Sequence, residues 1–449
     1  MNSKKFSLVI NKPIDNFRKN ITVDSDKSIS IRSFLIGSIC EGISSIKNVL
    51  ESEDVFSTIN CLRKLNIKIL YLGNKTYKIF GRGLGSYTAK SSLKLNFGNS
   101  GTLARLITGI IASTPNINLK IFGDKSLNKR NMKNLIFLMN KFGAEFYPKN
   151  KYFFPLLMSS SNYPIGISYK SGTSAQLKSA VILAGLNSYG TTKIIENFKS
   201  RDHTENMLKE NKQAIKIKGN NKKKINIFGK KSLKNFSLKV PGDPSSAAFF
   251  TALTLLKKNS YLKIMNVGLN PTRIGFYSLL KKSGAKIKFI NKRKINNERV
   301  GDIIVKSSVL KPINASKKYY LNTTDEYPIL FIISALIKGN SFFSGISDLK
   351  NKESDRIKEM QNILKQIGVF SIFKNGKLLI KGKNLDKRKI IKVKVLDLGD
   401  HRICMSAAIL GLLTGFEVKI KNFETVGTSS PSFLKIIKQL GGSFAKKNK

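Results

Sequence analysis

Helical segments that end in glycine or asparagine and then lead into an alternating strand recur along the chain. Five clear junctions and one weaker one lie at 61–70, 138–147, 279–289, 363–373, 436–444 and, less distinctly, 206–217. Glycine or asparagine is the expected residue just beyond a helix C-terminus, because it tolerates the left-handed backbone found there. The spacing of about 70 to 85 residues predicts about six similar α/β units.

A second helix is predicted in each unit, and it is apolar on nearly all of its faces. These helices are predicted at 28–40, 102–113, 175–185, 245–257, 326–337 and 402–413. A helix without a polar face is expected to be buried. The pattern therefore predicts six units, three in each of two domains, in which exposed and buried helices alternate. Proline and glycine in "LKVPGDPSSAAFF" (238–250) place the domain boundary there, and a cleft between two such domains is where ligands often bind.

The net charge of +53, from 80 basic and 27 acidic residues, raises the possibility of a nucleic-acid-binding protein. The lysines, however, are spread over the whole chain, no nucleic-acid-binding motif accompanies them, and the Lys-rich run at 220–231 is predicted to be a solvated loop. The simpler interpretation of the charge is a drift of the overall composition toward lysine, asparagine and isoleucine. On that interpretation the few arginines should mark places that need a planar, two-pronged donor. Those in unusual local sequence are Arg32, Arg105, Arg130, Arg201, Arg356 and Arg402.

Cysteine and histidine offer little basis for a metal site. Cys40, Cys61 and Cys404 are scattered and form no CxxC pair, which fits a reducing compartment. His203 and His401 lack ligand spacing, and we expect each to orient a neighbouring arginine or aspartate or to be purely structural. No apolar run has the length of a membrane span, and the start of the chain resembles a strand more than a signal peptide. A cytoplasmic protein is therefore expected.

Several buried helices are preceded by short polar turns that could bind anions. In "SDKSISIRSFLIGS" (25–38), Ser28 and Arg32 lie one helical turn apart, just after Lys27. "FGNSGTLARLITG" (97–109) and "SGTSAQLKSAVILAG" (171–185) offer exposed backbone amides in the same way. Simple N-capping explains any one of these turns, but their repetition together with cations favours an anion site.

The stretch "NKESDRIKEMQNILKQIG" (351–368) opens with charges and continues as an amphipathic helix. The four-residue spacing of Lys352 and Arg356 predicts that both project from the start of this helix. Glu353 lies beside them and is a candidate proton shuttle next to a bound anion. The alternative is a lattice of surface charges worth a few tenths of a kcal/mol.

Eight motifs in order, spread over nearly the whole chain, resemble the 5-enolpyruvylshikimate-3-phosphate synthase family. They are "DKSISIRS", "GNSGT", "SAQLKSAVILAGL", "SRDHTENML", "VPGDPSSAAFF", "DEYPIL", "KESDR" and "GDHRICMS". The resemblance implies an α/β fold of two domains, 23–240 and 1–22 plus 241–449, each built from three βαβαββ units with pseudo-threefold symmetry, an enolpyruvyl transferase-like inverse α/β barrel. It also implies an active site in the cleft between the domains.

The implied reaction transfers the enolpyruvyl group of phosphoenolpyruvate to the 5-hydroxyl of 3-phosphoshikimate by addition and elimination, releasing phosphate. This step lies on the shikimate pathway to chorismate and the aromatic amino acids. The resemblance further implies a monomer that needs no metal or organic cofactor and no nucleic-acid or membrane partner.

The resemblance also assigns residues to the two substrates. It implies that phosphoshikimate is bound by Lys27, Ser28, Arg32, Ser174, Ala175, Gln176, Arg201, Asp325 and Lys352. It implies that phosphoenolpyruvate is bound by Lys27, Gly101, Arg130, Gln176, Arg356 and Arg402. Asp325 resembles the base that takes the 5-hydroxyl proton, and Glu353, with Lys27, resembles the acid that protonates the methylene carbon. Ala175 replaces a serine common in the family, so its backbone amide would have to serve.

The chain departs from the family pattern at two places. "DSDKS" replaces the usual "PGDKS", and Thr428 stands where many members have a lysine. A glyphosate-tolerant branch of the family also lacks that lysine, but Gly101 is kept here, so we expect glyphosate to inhibit this chain.

A UDP-N-acetylglucosamine enolpyruvyl transferase would have a cysteine at about 123–131, which this chain lacks. A nonenzymatic nucleic-acid-binding protein would have no use for Asp325 or Glu353.

Overall fold

A computed structural model describes residues 5–90, 92–219, 222–383 and 391–448. The chain divides into two compact units. The N-terminal unit comprises Ser25–Val240 with Lys294–Glu298, and the C-terminal unit comprises Met1–Asp24, Pro241–Arg293 and Arg299–Lys449. Each unit has its own apolar core.

Within the described ranges the chain forms thirteen α-helices. They are α1 (Lys27–Ile39), α2 (Glu53–Lys64), α3 (Gly101–Ala112), α4 (Lys133–Lys141), α5 (Ala175–Leu186), α6 (His203–Leu208), α7 (Pro244–Leu256), α8 (Gly275–Lys282), α9 (Tyr320–Thr323), α10 (Tyr327–Leu336), α11 (Arg356–Gln366), α12 (His401–Thr414) and α13 (Phe433–Gln439).

The same part of the chain forms twenty-four strands. They are β1 (Phe6–Ile10), β2 (Arg18–Thr22), β3 (Glu41–Lys47), β4 (Ile69–Tyr71), β5 (Tyr77–Arg82), β6 (Lys94–Asn96), β7 (Asn118–Phe122), β8 (Glu145–Tyr147), β9 (Leu156–Ser159), β10 (Ser168–Ser171), β11 (Thr191–Glu196), β12 (Ile215–Lys218), β13 (Lys223–Phe228), β14 (Ser237–Lys239), β15 (Tyr261–Gly268), β16 (Lys286–Ile295), β17 (Glu298–Lys306), β18 (Asn314–Ala315), β19 (Gly339–Ser344), β20 (Phe370–Lys374), β21 (Lys377–Gly382), β22 (Lys392–Val395), β23 (Glu417–Ile420) and β24 (Ala445–Asn448).

These strands form six four-stranded sheets of one design. In the sheet β6-β7-β9-β8, the first two strands are parallel and the later pairs are antiparallel. Helix α3 connects β6 to β7, and α4 connects β7 to β8, so the chain order is βαβαββ. The other five sheets repeat the same spatial order of strands. The predicted α/β fold of repeated βαβαββ units is therefore confirmed.

Three of the six sheets take a strand from a distant part of the chain. The sheet built around β3 is completed by β14, which comes from the last residues of the segment Ser25–Val240 and pairs with β3 in parallel. In the C-terminal unit, β2 pairs with β15, and β1 inserts between β23 and β24. The N-terminal strands thus belong to sheets formed mainly by the second half of the sequence.

The six predicted apolar helices correspond to α1, α3, α5, α7, α10 and α12, each within two residues of its predicted ends, and this prediction is confirmed. Helices α1 and α3 pack together and α3 packs on α5, while α7, α10 and α12 pack on one another. Because these helices contact neighbours on several sides, they need no polar face. Among the described helices, none has both the length and the apolar character of a bilayer-crossing segment.

The prediction of a loop at 220–231 is wrong for half of that run. Lys223–Phe228 forms β13, in which Ile225 and Ile227 are fully buried and the intervening residues face outward. The alternation expected of a half-buried strand was present but was obscured by the run of consecutive lysines at 222–224. Residues 220 and 221 lie outside the described part of the chain.

Candidate active site

The predicted site residues fall into two sets, one in each unit. In the N-terminal unit, Lys27 is the first residue of α1, and its Nζ lies 3.0 Å from the Asp54 carboxylate. Asp26 caps the same helix by accepting a hydrogen bond from the backbone N–H of Ile29 at 2.8 Å. The capping predicted for this turn is thus present, and it leaves the Lys27 ammonium beside a helix N-terminus, where anions are stabilised.

Arg32 is almost wholly buried one turn further along α1. Its Nη1 donates to both the hydroxyl and the carbonyl oxygen of Ser28. Its Nε donates to the Thr204 hydroxyl at 2.9 Å, and its Nη2 donates to the Ser179 hydroxyl at 3.3 Å. Arg32 therefore links α1 to α5 and α6, and these hydrogen bonds hold its guanidinium in one orientation.

Gly101, the first residue of α3, lies against two guanidinium groups. A methyl group added to its Cα would lie 2.8 Å from Nη1 of Arg105 and 3.0 Å from Nη1 of Arg130. Gln176 belongs to the same cluster, because its Oε1 accepts a hydrogen bond from Arg105 at 3.0 Å and its Nε2 donates to Thr102 at 3.0 Å. Two cations and a helix N-terminus thus surround a residue with no side chain, which suits an anion that approaches the backbone closely.

Side chains from the preceding turns hold Arg130 in place. Its Nη2 donates to the side-chain oxygen of Asn99 and, at 3.4 Å, to the Ser126 hydroxyl. Arg130 follows a short 3₁₀ turn, Leu127–Lys129, and its backbone is extended. The loop predicted to contact phosphoenolpyruvate therefore directs its arginine toward the start of α3.

The start of α5 presents backbone amides in the same manner. The Ser174 hydroxyl caps the helix by accepting a hydrogen bond from the N–H of Leu177 at 3.3 Å, and Ala175 is the first helical residue. Arg201 lies just before α6 and directly follows the buried Ser200. Ser174 thus performs the capping role expected of such a turn, whereas Ala175 can offer a ligand only its backbone.

In the C-terminal unit, three carboxylates surround the buried guanidinium of Arg356. Its Nε donates to Asp400 at 2.9 Å and its Nη2 donates to Glu353 at 2.6 Å, while Nη1 lies 3.7 Å from Asp325. Burial lowers the pKa of Arg356, but the charges of Asp400, Glu353 and Asp325 outweigh it, so the pKa is raised above its ordinary value. The predicted base and the predicted acid thus share one cation.

Arg402, the second residue of α12, is only 4% exposed. Its backbone N–H donates to Asp400 at 2.9 Å. Among the described residues, no hydrogen-bond partner is found for its side-chain Nε and Nη1. A buried donor without an acceptor is costly, so this position is chemically suited to an anionic ligand.

The predicted placement of Lys352 on a helix with Arg356 is wrong. Helix α11 begins at Arg356 and is capped by Asp355, whose carboxylate accepts from the N–H groups of Ile357 and Lys358. Lys352 instead ends a 3₁₀ turn and pairs with Asp348 at 2.6 Å. Asp355 satisfies the exposed amides of α11, so the helix starts four residues later than the charge spacing indicated.

The two histidines differ in their surroundings. Nδ1 of His203 lies 2.8 Å from Oε1 of Glu298, and both side chains are buried in the N-terminal unit. The predicted partners of His203 were its neighbours in the sequence, whereas Glu298 lies 95 residues away. His401 is the first residue of α12 and is buried. It directly precedes Arg402 in the sequence.

Three residues that the sequence did not assign to a substrate take part in these clusters. They are Asp54, which pairs with Lys27; Arg105, which contacts Gln176; and Asp400, which holds Arg356. Arg105 carried a signal, since it is one of the few arginines in a lysine-rich chain. Asp400 also carried a signal, since it lies within the motif "GDHRICMS", whereas Asp54 lies in none of the motifs.

Comparison with known proteins places these clusters in context. The sequence profile of the family described as EPSP synthase (3-phosphoshikimate 1-carboxyvinyltransferase) matches residues 11–437. A 3-phosphoshikimate 1-carboxyvinyltransferase of Petrotoga mobilis is 39% identical over 431 residues, covering 95% of this chain and 98% of that one. One of Zymomonas mobilis is 38% identical over 430 residues, covering 94% of each chain.

Solved structures agree with the sequence comparison. An EPSP synthase of Acinetobacter baumannii superimposes with a TM-score of 0.85 at 33% identity, covering 98% of this chain and 100% of that one. The enolpyruvyl transferase NikO of Streptomyces tendae superimposes with a TM-score of 0.76 over the full length of both chains, but at 12% identity this similarity concerns the fold alone. By profile, sequence and structure, the chain belongs to the EPSP synthase (3-phosphoshikimate 1-carboxyvinyltransferase) family.

Proposed function

We infer that the chain transfers the enolpyruvyl group of phosphoenolpyruvate to the 5-hydroxyl of 3-phosphoshikimate and releases inorganic phosphate. This is the step that its family supplies to the shikimate pathway and to aromatic amino acid biosynthesis. The observation that best supports it is the convergence of Asp325 and Glu353 on the single guanidinium of Arg356. Two carboxylates beside a buried guanidinium offer a candidate base and a candidate acid next to a cation that an anionic substrate would contact.

The charges of the substrates agree with the cations of the site. Each phosphate carries about −1.5 to −2 at neutral pH, so two phosphates and two carboxylates bring roughly −5 to −6. Seven cations are proposed to meet them: Lys27, Arg32, Arg130, Arg201, Lys352, Arg356 and Arg402. We propose that residues of both units act on the same pair of substrates during turnover.

The N-terminal unit is proposed to bind most of phosphoshikimate. Ser28 and Arg32 would contact its ring carboxylate and hydroxyls, and the hydrogen bonds from Arg32 to Thr204 and Ser28 would orient the guanidinium for this contact. Ser174, the amide of Ala175, Gln176 and Arg201 would surround its phosphate at the start of α5. Lys352 from the C-terminal unit would add a further contact after exchanging its exposed partner Asp348, at little cost since surface ion pairs are weak.

Phosphoenolpyruvate is proposed to bind where bare amides and guanidiniums meet. Gly101, Arg130 and Gln176 would hold it in the N-terminal unit, and Arg356 and Arg402 in the C-terminal unit. Lys27 would touch both substrates. Arg105 is added to this set, because its Nη1 lies beside Gly101 and hydrogen-bonds to Gln176.

The proton transfers follow from competition for Arg356. In the addition step, Asp325 would take the 5-hydroxyl proton as that oxygen bonds to C2 of phosphoenolpyruvate, and Glu353 with Lys27 would deliver a proton to C3. An anion arriving at Arg356 would compete with Glu353 for the guanidinium and so favour proton uptake by Glu353. In the elimination step C3 loses a proton, the bond from C2 to the phosphate oxygen breaks, and phosphate leaves.

A phosphate-release assay with both substrates tests the proposal. Release that requires phosphoshikimate and phosphoenolpyruvate together is expected. As a control, UDP-N-acetylglucosamine replaces phosphoshikimate, and phosphate release with that acceptor would support the rival transferase instead. Absence of phosphate release with either acceptor, together with a nucleic-acid mobility shift at physiological salt, would favour the rival basic binding protein.

We further propose that the protein works as a cytoplasmic monomer without a nucleic-acid or membrane partner. All three cysteines are buried and unpaired by disulfides, which fits a reducing compartment. Size-exclusion chromatography with light scattering would test the monomer, and a larger particle at assay concentration would contradict it.

A further inference from the structure

A wholly buried ion triad lies within the N-terminal unit. Nζ of Lys178, on α5, is 2.6 Å from Oε1 of Glu196 and 2.6 Å from Oε1 of Glu205. Glu196 is the last residue of β11 and Glu205 belongs to α6. None of the three side chains is more than 2% exposed. None of them was assigned a function from the sequence, and none is proposed to contact either substrate.

Stability alone is a weak explanation for this triad. Burial lowers the pKa of Lys178, but the charges of Glu205 and Glu196 outweigh it, so the pKa is raised and the lysine stays protonated. Apolar side chains of similar volume often stabilise a core as well as buried ions do. What ions add is a fixed geometry, because moving one partner leaves the others uncompensated.

The triad is connected to the loop that carries Arg201. Oε1 of Glu196 accepts hydrogen bonds from the Ser200 backbone N–H at 3.0 Å and from the Ser200 hydroxyl at 2.7 Å. Ser200 immediately precedes Arg201 in the chain. The same carboxylate oxygen thus holds both the buried ammonium and the residue next to the arginine proposed to bind phosphate.

The triad is also connected to Arg32. Glu205 follows Thr204, whose hydroxyl accepts from Nε of Arg32 at 2.9 Å and shares a hydrogen bond with the Ser179 hydroxyl at 2.8 Å. Ser179 in turn follows Lys178 on α5. The ammonium of Lys178 therefore lies at the junction of α5, the end of β11 and α6, all of which carry or adjoin proposed phosphoshikimate-binding residues.

We propose that Lys178, Glu196 and Glu205 form a positioning triad that fixes Arg201, and through Thr204 also Arg32, for the phosphate of phosphoshikimate. This inference rests on the proposed function. The triad acts through the residues it orients and touches no substrate itself. Its loss should weaken the phosphate contact more than the contacts to the ring or to phosphoenolpyruvate.

The test is a comparison of two ligands that differ only in the phosphate. Glu196→Gln keeps the size of the side chain but removes the charge that holds Lys178. We expect the ratio of Kd for shikimate to Kd for 3-phosphoshikimate to fall by about tenfold or more, since small misplacements of positioning groups have effects of this order. The KM for phosphoenolpyruvate should change less than about threefold, because the triad is proposed to orient residues that bind phosphoshikimate.

A matched control separates positioning from general stability. Tyr87→Phe removes another buried hydrogen bond of the same unit, the one at 2.6 Å between Tyr87 and Ser38 near the end of α1. It should lower Tm without changing the ligand ratio. If Glu196→Gln does not fold, Ser200→Ala keeps the triad and removes only the hydroxyl donor, and it should lower the ratio in the same direction.

Two outcomes would overturn the inference, and they differ from failure of the proposed function. An unchanged ratio in a folded Glu196→Gln protein, or an equal loss of affinity for shikimate and phosphoshikimate, would show that the triad is merely structural. Wild-type protein that neither released phosphate nor bound phosphoshikimate would defeat the proposed function itself. An active wild-type protein, together with an unchanged ratio of the two Kd values in Glu196→Gln, would contradict the positioning role alone.

Discussion

The Glu353 carboxylate accepts a hydrogen bond from Nη2 of Arg356 at 2.6 Å, although Glu353 lies outside the helix that Arg356 begins. This arrangement predicts that Glu353→Gln impairs chemistry more than binding. General acid catalysis contributes about 10²–10⁴-fold, so kcat should fall by that order. The Kd for phosphoshikimate should change only slightly. Steady-state kinetics and calorimetric titration measure the two effects, and Glu359→Gln, on the same helix, is the control. A kcat close to that of the wild type would remove Glu353 from its role.

Asp325 is expected to respond in the same direction. Asp325→Asn keeps the shape but removes the base proposed to take the 5-hydroxyl proton, so kcat should fall by about 10²–10⁴-fold. Affinity for phosphoshikimate should fall far less. Asp348→Asn weakens the pair with Lys352 and the hydrogen bond from the Tyr320 hydroxyl, but removes no proposed acid or base, so it should leave kcat within about twofold. Equal losses of kcat and affinity in Asp325→Asn would point to a binding role instead.

Arg402 should have opposite effects on stability and on binding. Arg402→Met removes a buried guanidinium whose Nε and Nη1 find no acceptor among the described residues. The ligand-free protein should gain about 2–4 °C in Tm if the relief is about 1 kcal/mol. The KM for phosphoenolpyruvate should rise at least tenfold, because a desolvated charged contact is lost. Differential scanning fluorimetry and kinetics measure the two quantities, and a fall in Tm would show that the arginine is satisfied internally.

Gly101→Ala is expected to act through the two adjacent guanidiniums. The new methyl group would lie 2.8 Å from Arg105 Nη1 and 3.0 Å from Arg130 Nη1, so both must move. These atoms end flexible side chains, so the fold should tolerate the change while the KM for phosphoenolpyruvate rises severalfold.

Glyphosate inhibition provides a second measurement at the same position. We expect micromolar glyphosate to inhibit the wild type and the inhibition to weaken in Gly101→Ala. Inhibition of the wild type only at millimolar concentrations would contradict the expectation of sensitivity.

The stability of the C-terminal unit should depend on pH through Asp302. Burial raises the pKa of Asp302, but the backbone N–H of Asn266, the Asn291 amide and the Lys263 ammonium lower it more, so the folded-state pKa lies below its ordinary value. The ionised form therefore stabilises the fold above the unfolded pKa of about 4, and this contribution is lost as pH falls through the folded pKa.

Asp302→Asn tests this dependence. The variant should unfold more easily at pH 7 by about 1.5–3 kcal/mol, the usual value for hydrogen bonds to a charged group. The difference from wild type should begin to shrink in urea titrations at about pH 3, where the aspartate of the unfolded chain is mostly protonated. A difference that stayed constant with pH would mean that charge does not contribute at this site.

The sequence predicted those features that depend on local pattern. The six apolar helices could be placed because a helix that is apolar on all sides has few alternatives to burial. The glycines and asparagines that end the amphipathic helices predicted the strands that follow, since they fix where each helix stops. The start of α11 was misplaced because Ser354 and Asp355 are both capable caps within a run of charges.

The remaining features depend on contacts between distant residues. Lys178 and its two glutamates, His203 and Glu298, and Lys27 with Asp54 are pairs that no periodicity connects. The strand β13 was missed because the consecutive lysines at its start resembled a solvated loop. Catalytic residues were named from family motifs, but their shared use of Arg356 became visible only when the carboxylates were placed around it.

The insertion of β1 between β23 and β24 has a consequence for biosynthesis. Residues 6–10 are synthesised long before their neighbours in the sheet, 417–420 and 445–448. The segment from Ser25 to Val240 includes β14, the strand that closes its own first sheet, and can begin to assemble while translation continues. Strand β1 must meanwhile wait unpaired, so a chain terminated before residue 417 would leave this strand without either neighbour and prone to aggregation.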